Sequence, residues 1–197
     1  MEDFFLTCPR GLEEVTANQI SKYISDDPIV DKGGISFIGN INDMYLTNLH
    51  SRTGMHLLKK ILSFHCDDID NIYKKLYNHD WSPILDSSKT FIIKTKCKSN
   101  FFKNTNFVTL KIKDAIVDNI RKQEGKRPSV SKINPDVILF IIIHDDEVKI
   151  YIDSSGEPLF KRGYRDKIHK AALNEALAAG LIYLSNWDRV SPLYDIM

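Results

Sequence analysis

The stretch of sequence from residue 137 to residue 153 reads VILFIIIHDDEVKIYID. Its first seven residues are all apolar, which is typical of a central strand that is covered on both faces of its sheet. Asp145, Asp146 and Glu147 then form an acidic turn, and residues 148–153 continue as a second strand. The segment therefore predicts two adjacent strands in the middle of a sheet.

Three further elements are predicted before these two strands. The apolar and aromatic residues between positions 69 and 77 repeat at the three- and four-residue spacing of a helix. Residues 90–98, TFIIKTKCK, alternate with a period of two, so that Lys94, Lys96 and Lys98 project from one face of a strand. A second helix is predicted over residues 106–122.

Residues 1–65 predict the order strand, helix, strand, strand, helix, strand, which is the ferredoxin-like βαββαβ arrangement. Gly33 and Gly34 suit the hairpin turn between the second and third strands. Asn40 or Asn42 should cap the second helix. The apolar residues that we expect to face inward from that helix are Met44, Tyr45, Leu46 and Leu49.

Residues 156–197 differ in character from the rest of the chain. A basic connector with Lys161, Arg162 and Arg165 leads into an alanine- and leucine-rich helix over residues 171–184, and residues 192–197 predict the start of another strand. Such a helix should bury an apolar face. We therefore expect it to fold back on the preceding unit, to form a dimer contact or to be poorly ordered.

The charge of the chain is unevenly distributed. The formal net charge is only +1, yet residues 89–132 hold twelve Lys or Arg residues and three acidic residues, a net charge of +9. This concentration indicates a polyanionic partner, and nucleic acid is the commonest.

The lysine row on residues 94–98 has a spacing of about 6.6 Å, which is close to the distance between neighbouring phosphates of one nucleic-acid strand. Phe101 and Phe102 follow and are candidates for stacking on unpaired bases. A half-solvated strand with two buried phenylalanines explains the same pattern equally well.

The helix and the loop that follow differ as candidates for RNA binding. Lys111 and Lys113 should point in different directions on their helix, which favours a structural role. The loop at residues 125–129 is the better candidate, because its charges have no acidic neighbours.

Several classes of site are disfavoured by what the sequence lacks. The three cysteines are far apart and the six histidines have no ligand spacing, so neither a disulfide framework nor a metal site is expected. Such cysteine usage favours a reducing cytoplasm. The sequence shows neither a signal peptide nor an apolar stretch long enough to cross a membrane. No GxGxxG, P-loop or GxSxG motif is present. The residues alone therefore predict a binding module without catalytic residues.

Three groups of segments carry a family resemblance. They are residues 8–14 (CPRGLEE), 33–37 (GGISF) and 51–53 (SRT); residues 110–118 (LKIKDAIVD), 125–130 (GKRPSV) and 134–136 (NPD); and residues 153–165 (DSSGEPLFKRGYR) and 173–179 (LNEALAA). In this order they resemble the bacterial 23S rRNA guanine-N2 methyltransferases, whose members carry a ferredoxin-like domain, a THUMP domain and a Rossmann-like SAM domain.

The resemblance implies an α+β protein. Its parts would be a ferredoxin-like domain over residues 1–65, an α/β THUMP RNA-binding domain over residues 66–155, and over residues 156–197 a connector with the first helix and strand of a truncated Rossmann-like methyltransferase domain. The SAM loop and the Asn-Pro-Pro-Tyr-type motif of the family are not within the 197 residues. We therefore expect S-adenosylmethionine to be the cofactor of the whole enzyme, and this fragment to bind no cofactor or metal and to catalyse nothing.

The function implied is binding and positioning of RNA, most closely 23S rRNA, for a SAM-dependent rRNA (guanine-N2-)-methyltransferase. Neither DNA nor a membrane is an expected partner, and a homodimer through the C-terminal helix is an open alternative. A free-standing THUMP-type adaptor and a tRNA-modifying THUMP methyltransferase are the alternative functions. The expected RNA-binding residues are Lys94, Lys96, Lys98, Phe101, Lys103, Lys111, Lys113, Lys126, Arg127, Lys132, Lys161, Arg162 and Arg165.

Overall fold

The computed structural model describes residues 1–165, 172–188 and 190–194. In chain order the elements are β1 (Glu2–Thr7), α1 (Glu13–Ile20), a 3-10 turn (Ser21–Tyr23), β2 (Ile29–Asp31), β3 (Gly34–Gly39), α2 (Ile41–His50), β4 (His56–His65), α3 (Ile69–Tyr77), β5 (Thr90–Lys98), α4 (Thr105–Glu124), β6 (Ser129–Val130), β7 (Val137–His144), β8 (Glu147–Asp153) and α5 (Glu175–Leu184).

The chain forms two compact units. Unit 1 consists of residues 1–59 together with the described residues from Ser154 onward, and unit 2 consists of residues 60–153. Unit 1 thus contains most of the first predicted segment together with the described residues of the third. Among the described residues, no helix is long and apolar enough to cross a membrane.

Unit 1 has the predicted ferredoxin-like order. Its strands lie in the order β2-β3-β1-β4, and β1 pairs antiparallel with both of its neighbours. Phe4 and Phe37 are register partners on β1 and β3, and their rings stack with centroids 5.3 Å apart. Gly33, with φ of 80°, makes the predicted hairpin turn, a conformation that favours glycine. The βαββαβ prediction is confirmed.

Helix α2 is rotated relative to our prediction. Met44 packs against the core of unit 1, but Tyr45 is 60% exposed and Leu49 is 64% exposed, and Leu46 is also exposed. The buried side chains of this helix are polar: Asp43 and Thr47. Asp43 accepts a hydrogen bond from the Asn40 backbone N–H as part of a capping box, and a second one from Ser25 Oγ, so its buried carboxylate has two partners.

Unit 2 contains a five-stranded sheet in the order β4-β8-β7-β5-β6. Strands β7 and β8 form the predicted antiparallel pair, and β5 runs parallel to β7. Helices α3 and α4 pack on the face that carries Leu139, Ile141 and Ile143. Both helices of the unit therefore cover the same face of the sheet, whereas the apolar sequence of β7 predicted that both faces are covered.

The other face of this sheet combines apolar residues with the strand lysines. Phe140 is only 7% exposed, and Lys94 is its register partner on β5. The Lys94 ammonium lies 5.1 Å from the centroid of the Phe140 ring. A lysine stem that lies across an aromatic ring covers apolar surface while its charge stays in water.

The C-terminal helix packs within unit 1. Its first residue is Glu175 rather than the predicted Ala171, which lies outside the described residues, and Asn174 caps its N-terminus. Gln19 of α1 donates a hydrogen bond to Tyr183 Oη of α5 at 2.9 Å. Docking on α1 was not among our expectations. Residues 192–194 form no strand, and residues 195–197 lie outside the described residues.

A candidate nucleic-acid interface

A cleft of about 550 Å³ lies on the helical side of unit 2. Helices α3 and α4 and the loop that follows α4 all contribute to it. Its lining combines four cationic side chains, two carboxylates, one tyrosine and a small apolar wall: Tyr73, Lys111, Lys113, Asp114, Val117, Asp118, Arg121, Arg127, Pro128 and Val130.

The end of α4 brings the loop to the cleft. Gly125 has φ of 73°, and its N–H donates to Arg121 O, so the helix ends in a left-handed glycine cap. The chain then reverses direction, and Val130 in β6 pairs with Phe91 in β5. This route places Arg127 and Pro128 along the side of the helix that they follow.

Tyr73 and Asp118 connect the two helices at the cleft. Tyr73 Oη donates to Asp118 Oδ2 at 2.8 Å. The hydrogen bond to this carboxylate, reinforced by partial burial, raises the pKa of Tyr73 to about 12. The tyrosine thus remains a neutral donor at physiological pH, and one carboxylate of the cleft has a partner.

The remaining charges differ in how they are engaged. Lys111 Nζ lies 3.8 Å from Asp70 Oδ1, and Lys113 Nζ lies 2.9 Å from Asp114 Oδ1. Within the described part of the chain, no carboxylate lies within ion-pair distance of Arg121 or Arg127, and both are exposed. These two guanidinium groups are therefore available to an anionic ligand.

Lys111 and Lys113 line the same cleft, so our expectation that they point in different directions is wrong. Helical spacing separates their Cα–Cβ directions, but each lysine has a long, flexible stem. The contact with Asp114 also draws the Lys113 ammonium toward the cleft.

The strand lysines lie on a different surface of unit 2. Lys94, Lys96 and Lys98 are exposed, as the alternation predicted, and their register partners on β7 are Phe140, Ile142 and His144. That face is opposite to the one covered by the helices. The predicted RNA-binding residues of unit 2 are thus divided between a strand face and a helical cleft.

The two phenylalanines after β5 have different environments. Phe102 is buried in the core of unit 2, which excludes it as a stacking residue, whereas Phe101 is 54% exposed. Ser99 Oγ accepts hydrogen bonds from the N–H groups of both residues and donates to Asp145 O. The loop therefore holds Phe101 in an outward position. Three more predicted RNA-binding residues are also exposed: Lys103, Lys126 and Lys132.

The cations of the connector make contacts within unit 1. Lys161 pairs with Glu157 at 3.3 Å, and Arg165 Nη1 donates to Leu173 O at 3.1 Å. Arg162 Nη2 donates to two carbonyl oxygens at the end of α2, those of Asn48 and Ser51. Burial, with repulsion from Arg52, lowers the pKa of Arg162 below its usual value.

Sequence reasoning missed part of the cleft. Neither Tyr73 nor Arg121, which both line the cleft, is among the predicted RNA-binding residues. The spacing of Lys111, Asp114 and Asp118, three and four residues apart along α4, was visible in the sequence, but the contribution of α3 and of the loop depends on packing between distant segments.

Three family models match consecutive parts of the chain. The RlmL ferredoxin-like domain matches residues 3–58, the THUMP domain matches residues 66–153, and the RMKL-like methyltransferase domain matches residues 162–197. The resemblance recognised in the sequence is thereby confirmed, and the chain has a ferredoxin-like domain followed by a THUMP domain.

Curated relatives carry the name ribosomal RNA large subunit methyltransferase K/L. The one from Buchnera aphidicola subsp. Schizaphis graminum is 34% identical over 197 residues, which are 100% of this chain and 28% of the relative. The one from Pseudomonas aeruginosa is 32% identical over 96% of this chain and 26% of the relative. The chain thus spans about a quarter of the length of these relatives.

Solved structures share the fold. A protein from Clostridium difficile 630 described as a possible methylase is 28% identical, with a TM-score of 0.81 over 94% of this chain and 49% of that one. SMU.472, described as a methyltransferase and solved in complex with SAH, is 26% identical, with a TM-score of 0.79 over the same shares.

Proposed function

Because the chain carries ferredoxin-like, THUMP and RMKL-like methyltransferase segments in this order, we propose that it binds and positions RNA for a SAM-dependent rRNA (guanine-N2-)-methyltransferase. The RNA is ribosomal in this proposal, since the curated relatives are named as large-subunit rRNA methyltransferases. S-adenosylmethionine would be the cofactor of the whole protein, by analogy with the neighbour that was solved with SAH.

The cleft of unit 2 is the observation that carries the proposal. It combines four cationic side chains with only two carboxylates, and one of those carboxylates is bound to Tyr73. Arg121 and Arg127 are exposed, and a guanidinium can bind phosphate through two parallel hydrogen bonds. Such a surface suits a phosphodiester strand better than a neutral or cationic ligand.

The strand lysines provide a second contact surface in this proposal. Lys94, Lys96 and Lys98 lie on one face of β5 at a spacing that matches consecutive phosphates. Their charges are exposed, and Phe101 is held outward beyond the end of the same strand. RNA that follows this face would have phosphate contacts and one exposed ring for stacking.

Salt-dependent binding tests the contribution of the cleft. We expect Lys113→Ala, Arg121→Ala and Arg127→Ala together to weaken binding of a labelled 23S rRNA hairpin. The slope of log K against log salt should fall by about 2, since each lost contact with single-stranded RNA removes about 0.7. The matched control neutralises three cations of unit 1, Arg10, Lys22 and Lys32, and should leave the slope unchanged.

Equal effects of the two triple variants would contradict the cleft as the binding site. Competition between the 23S rRNA hairpin, tRNA and duplex DNA identifies the class of nucleic acid. Preference for tRNA would favour the tRNA-modifying alternative, and preference for duplex DNA would contradict the proposal.

A further inference from the structure

The cleft of unit 2 contains a carboxylate that phosphate binding does not explain. Asp118 is bound to Tyr73, and Asp70, which neighbours Lys111, is not among the residues that line the cleft. Asp114 does line it, and its side chain is 52% exposed with one contact, from Oδ1 to the Lys113 ammonium.

A carboxylate at this position repels each phosphate that the neighbouring cations attract. A cleft that bound only a sugar-phosphate backbone would bind it better with a neutral residue in place of Asp114. The carboxylate has about four lone-pair sites, and Lys113 occupies one of them, so acceptor capacity remains. The charge pattern therefore suits a ligand that presents hydrogen-bond donors as well as phosphates, which is a nucleotide with a free base edge.

We propose that the cleft takes one unpaired guanosine of the RNA, and that Asp114 accepts hydrogen bonds from the N1–H and the 2-amino group of its base. Guanine is the RNA base that presents two adjacent donors on its Watson–Crick edge, and a carboxylate presents two acceptors. The edge is free only when the base is unpaired. This inference rests on the proposed function, since it assumes that the cleft binds RNA.

The rest of the lining fits this ligand. Arg121 and Arg127 line the same cleft as Asp114, and their guanidinium groups can bind the phosphates next to the nucleoside. Val117, Pro128 and Val130 provide an apolar wall for the base plane. A volume of about 550 Å³ lies within the range of pockets that hold small ligands.

Fluorescently labelled RNA dodecamers test the inference. Three uridine-rich dodecamers carry guanosine, inosine or adenosine, respectively, at every third position. Because the nucleoside recurs along each RNA, the exact binding register does not matter. Inosine lacks the 2-amino group of guanosine and is otherwise the same. The wild-type protein should bind the guanosine dodecamer about fivefold or more tightly than the inosine dodecamer, the lower end for one well-placed bidentate pair.

The Asp114→Asn variant should lose this preference for guanosine and bind the three dodecamers with similar affinity. Asp27→Asn is the matched control, because it removes one exposed carboxylate from unit 1 and should keep the preference. Both substituted side chains are exposed, and folding of each variant can be verified by circular dichroism.

Three results would overturn the inference: equal affinity of the wild type for guanosine and inosine, a preserved preference in Asp114→Asn, or a uniform increase in affinity for all dodecamers in that variant. In each of these cases RNA is still bound, so the proposed function stands. Failure of the wild-type protein to bind any dodecamer or the rRNA hairpin would overturn the proposed function as well.

Discussion

Gln19 on α1 and Tyr183 on α5 are joined by a hydrogen bond of 2.9 Å from Gln19 Nε2 to Tyr183 Oη. The carbonyl oxygen of the same glutamine accepts from the backbone N–H groups of Arg52 and Thr53, at 2.9 and 3.3 Å. One buried amide thus satisfies the loop after α2 and also holds the C-terminal helix.

Replacing the two partners should have unequal effects on stability. Gln19→Ala leaves two backbone donors unpaired in a buried region, which should lower the free energy of unfolding by about 2–4 kcal/mol. Tyr183→Phe removes one hydroxyl and should cost about 1 kcal/mol. Urea denaturation of both variants measures the loss in the free energy of unfolding. An equal loss in the two variants would contradict the central role of the glutamine.

Leu12, the N-cap residue of α1, packs closely against Gly180 of α5. A methyl group at position 180 would overlap Cδ1 of Leu12, which is 3% exposed. Alanine in place of a helical glycine normally stabilises by about 1 kcal/mol, but overpacking a core costs about 1–3 kcal/mol. Gly180→Ala should therefore be neutral or destabilising in the wild-type protein.

The same substitution in a Leu12→Ala background should be stabilising, because the shortened side chain makes room for the methyl group. A double-mutant cycle on thermal or urea unfolding should give a coupling of about 1–3 kcal/mol between the two sites. Additive effects would show that the helices are not in contact in solution.

The elements of the fold were largely predictable because their signals are local. The alternation in residues 90–98 identified β5 and the exposed side of its lysines, and the apolar run before residue 144 identified β7. The exposure of single side chains outside the regular elements was harder to predict. Phe101 and Phe102 are adjacent in the sequence, yet Phe101 is exposed and Phe102 lies in the core.

Predictions failed where polar contacts or distant segments decide the outcome. Helix α2 buries Asp43, whose carboxylate is hydrogen-bonded, and exposes Tyr45, which apolar spacing alone placed in the core. The cleft joins Tyr73 with Arg127, which are 54 positions apart in the sequence, and no periodic pattern connects them.

The ionisation of Tyr73 should depend on Asp118. The hydrogen bond to the carboxylate raises the pKa of Tyr73 to about 12 from its usual value of 10, so the folded state retains this proton while the unfolded chain loses it. The stability that this contact provides is therefore present below pH 10 and is lost as the pH rises toward 12.

Tyrosinate absorbance at 295 nm measures this directly. In the Asp118→Ala variant, one tyrosine equivalent should move from the high-pH end of the titration toward pH 10. An unchanged titration curve in the variant would contradict the role of Asp118. Asp70→Ala is the control, since that carboxylate contacts Lys111 and is not a hydrogen-bond partner of the tyrosine.

Substitutions of Arg162 and Arg127 should affect different properties: the first should lower stability, and the second should weaken RNA binding. Arg162 Nη2 donates to Asn48 O at 2.8 Å and to Ser51 O at 2.9 Å, where the carbonyl groups at the end of α2 lack helical partners. Arg162→Ala should therefore lower the free energy of unfolding by about 1–3 kcal/mol, the range for hydrogen bonds with a charged donor. Its affinity for the rRNA hairpin should change little, because the guanidinium is already engaged.

Arg127→Ala should have the opposite effects, since Arg127 is exposed at the cleft and has no carboxylate partner among the described residues. We expect unchanged urea denaturation, weaker RNA binding and a salt slope reduced by about 0.7. If Arg162→Ala weakened RNA binding as much as Arg127→Ala while stability was unchanged, the connector would be an RNA contact, as its charge alone suggests. Measuring both quantities on both variants therefore decides whether this arginine binds RNA or holds the end of α2.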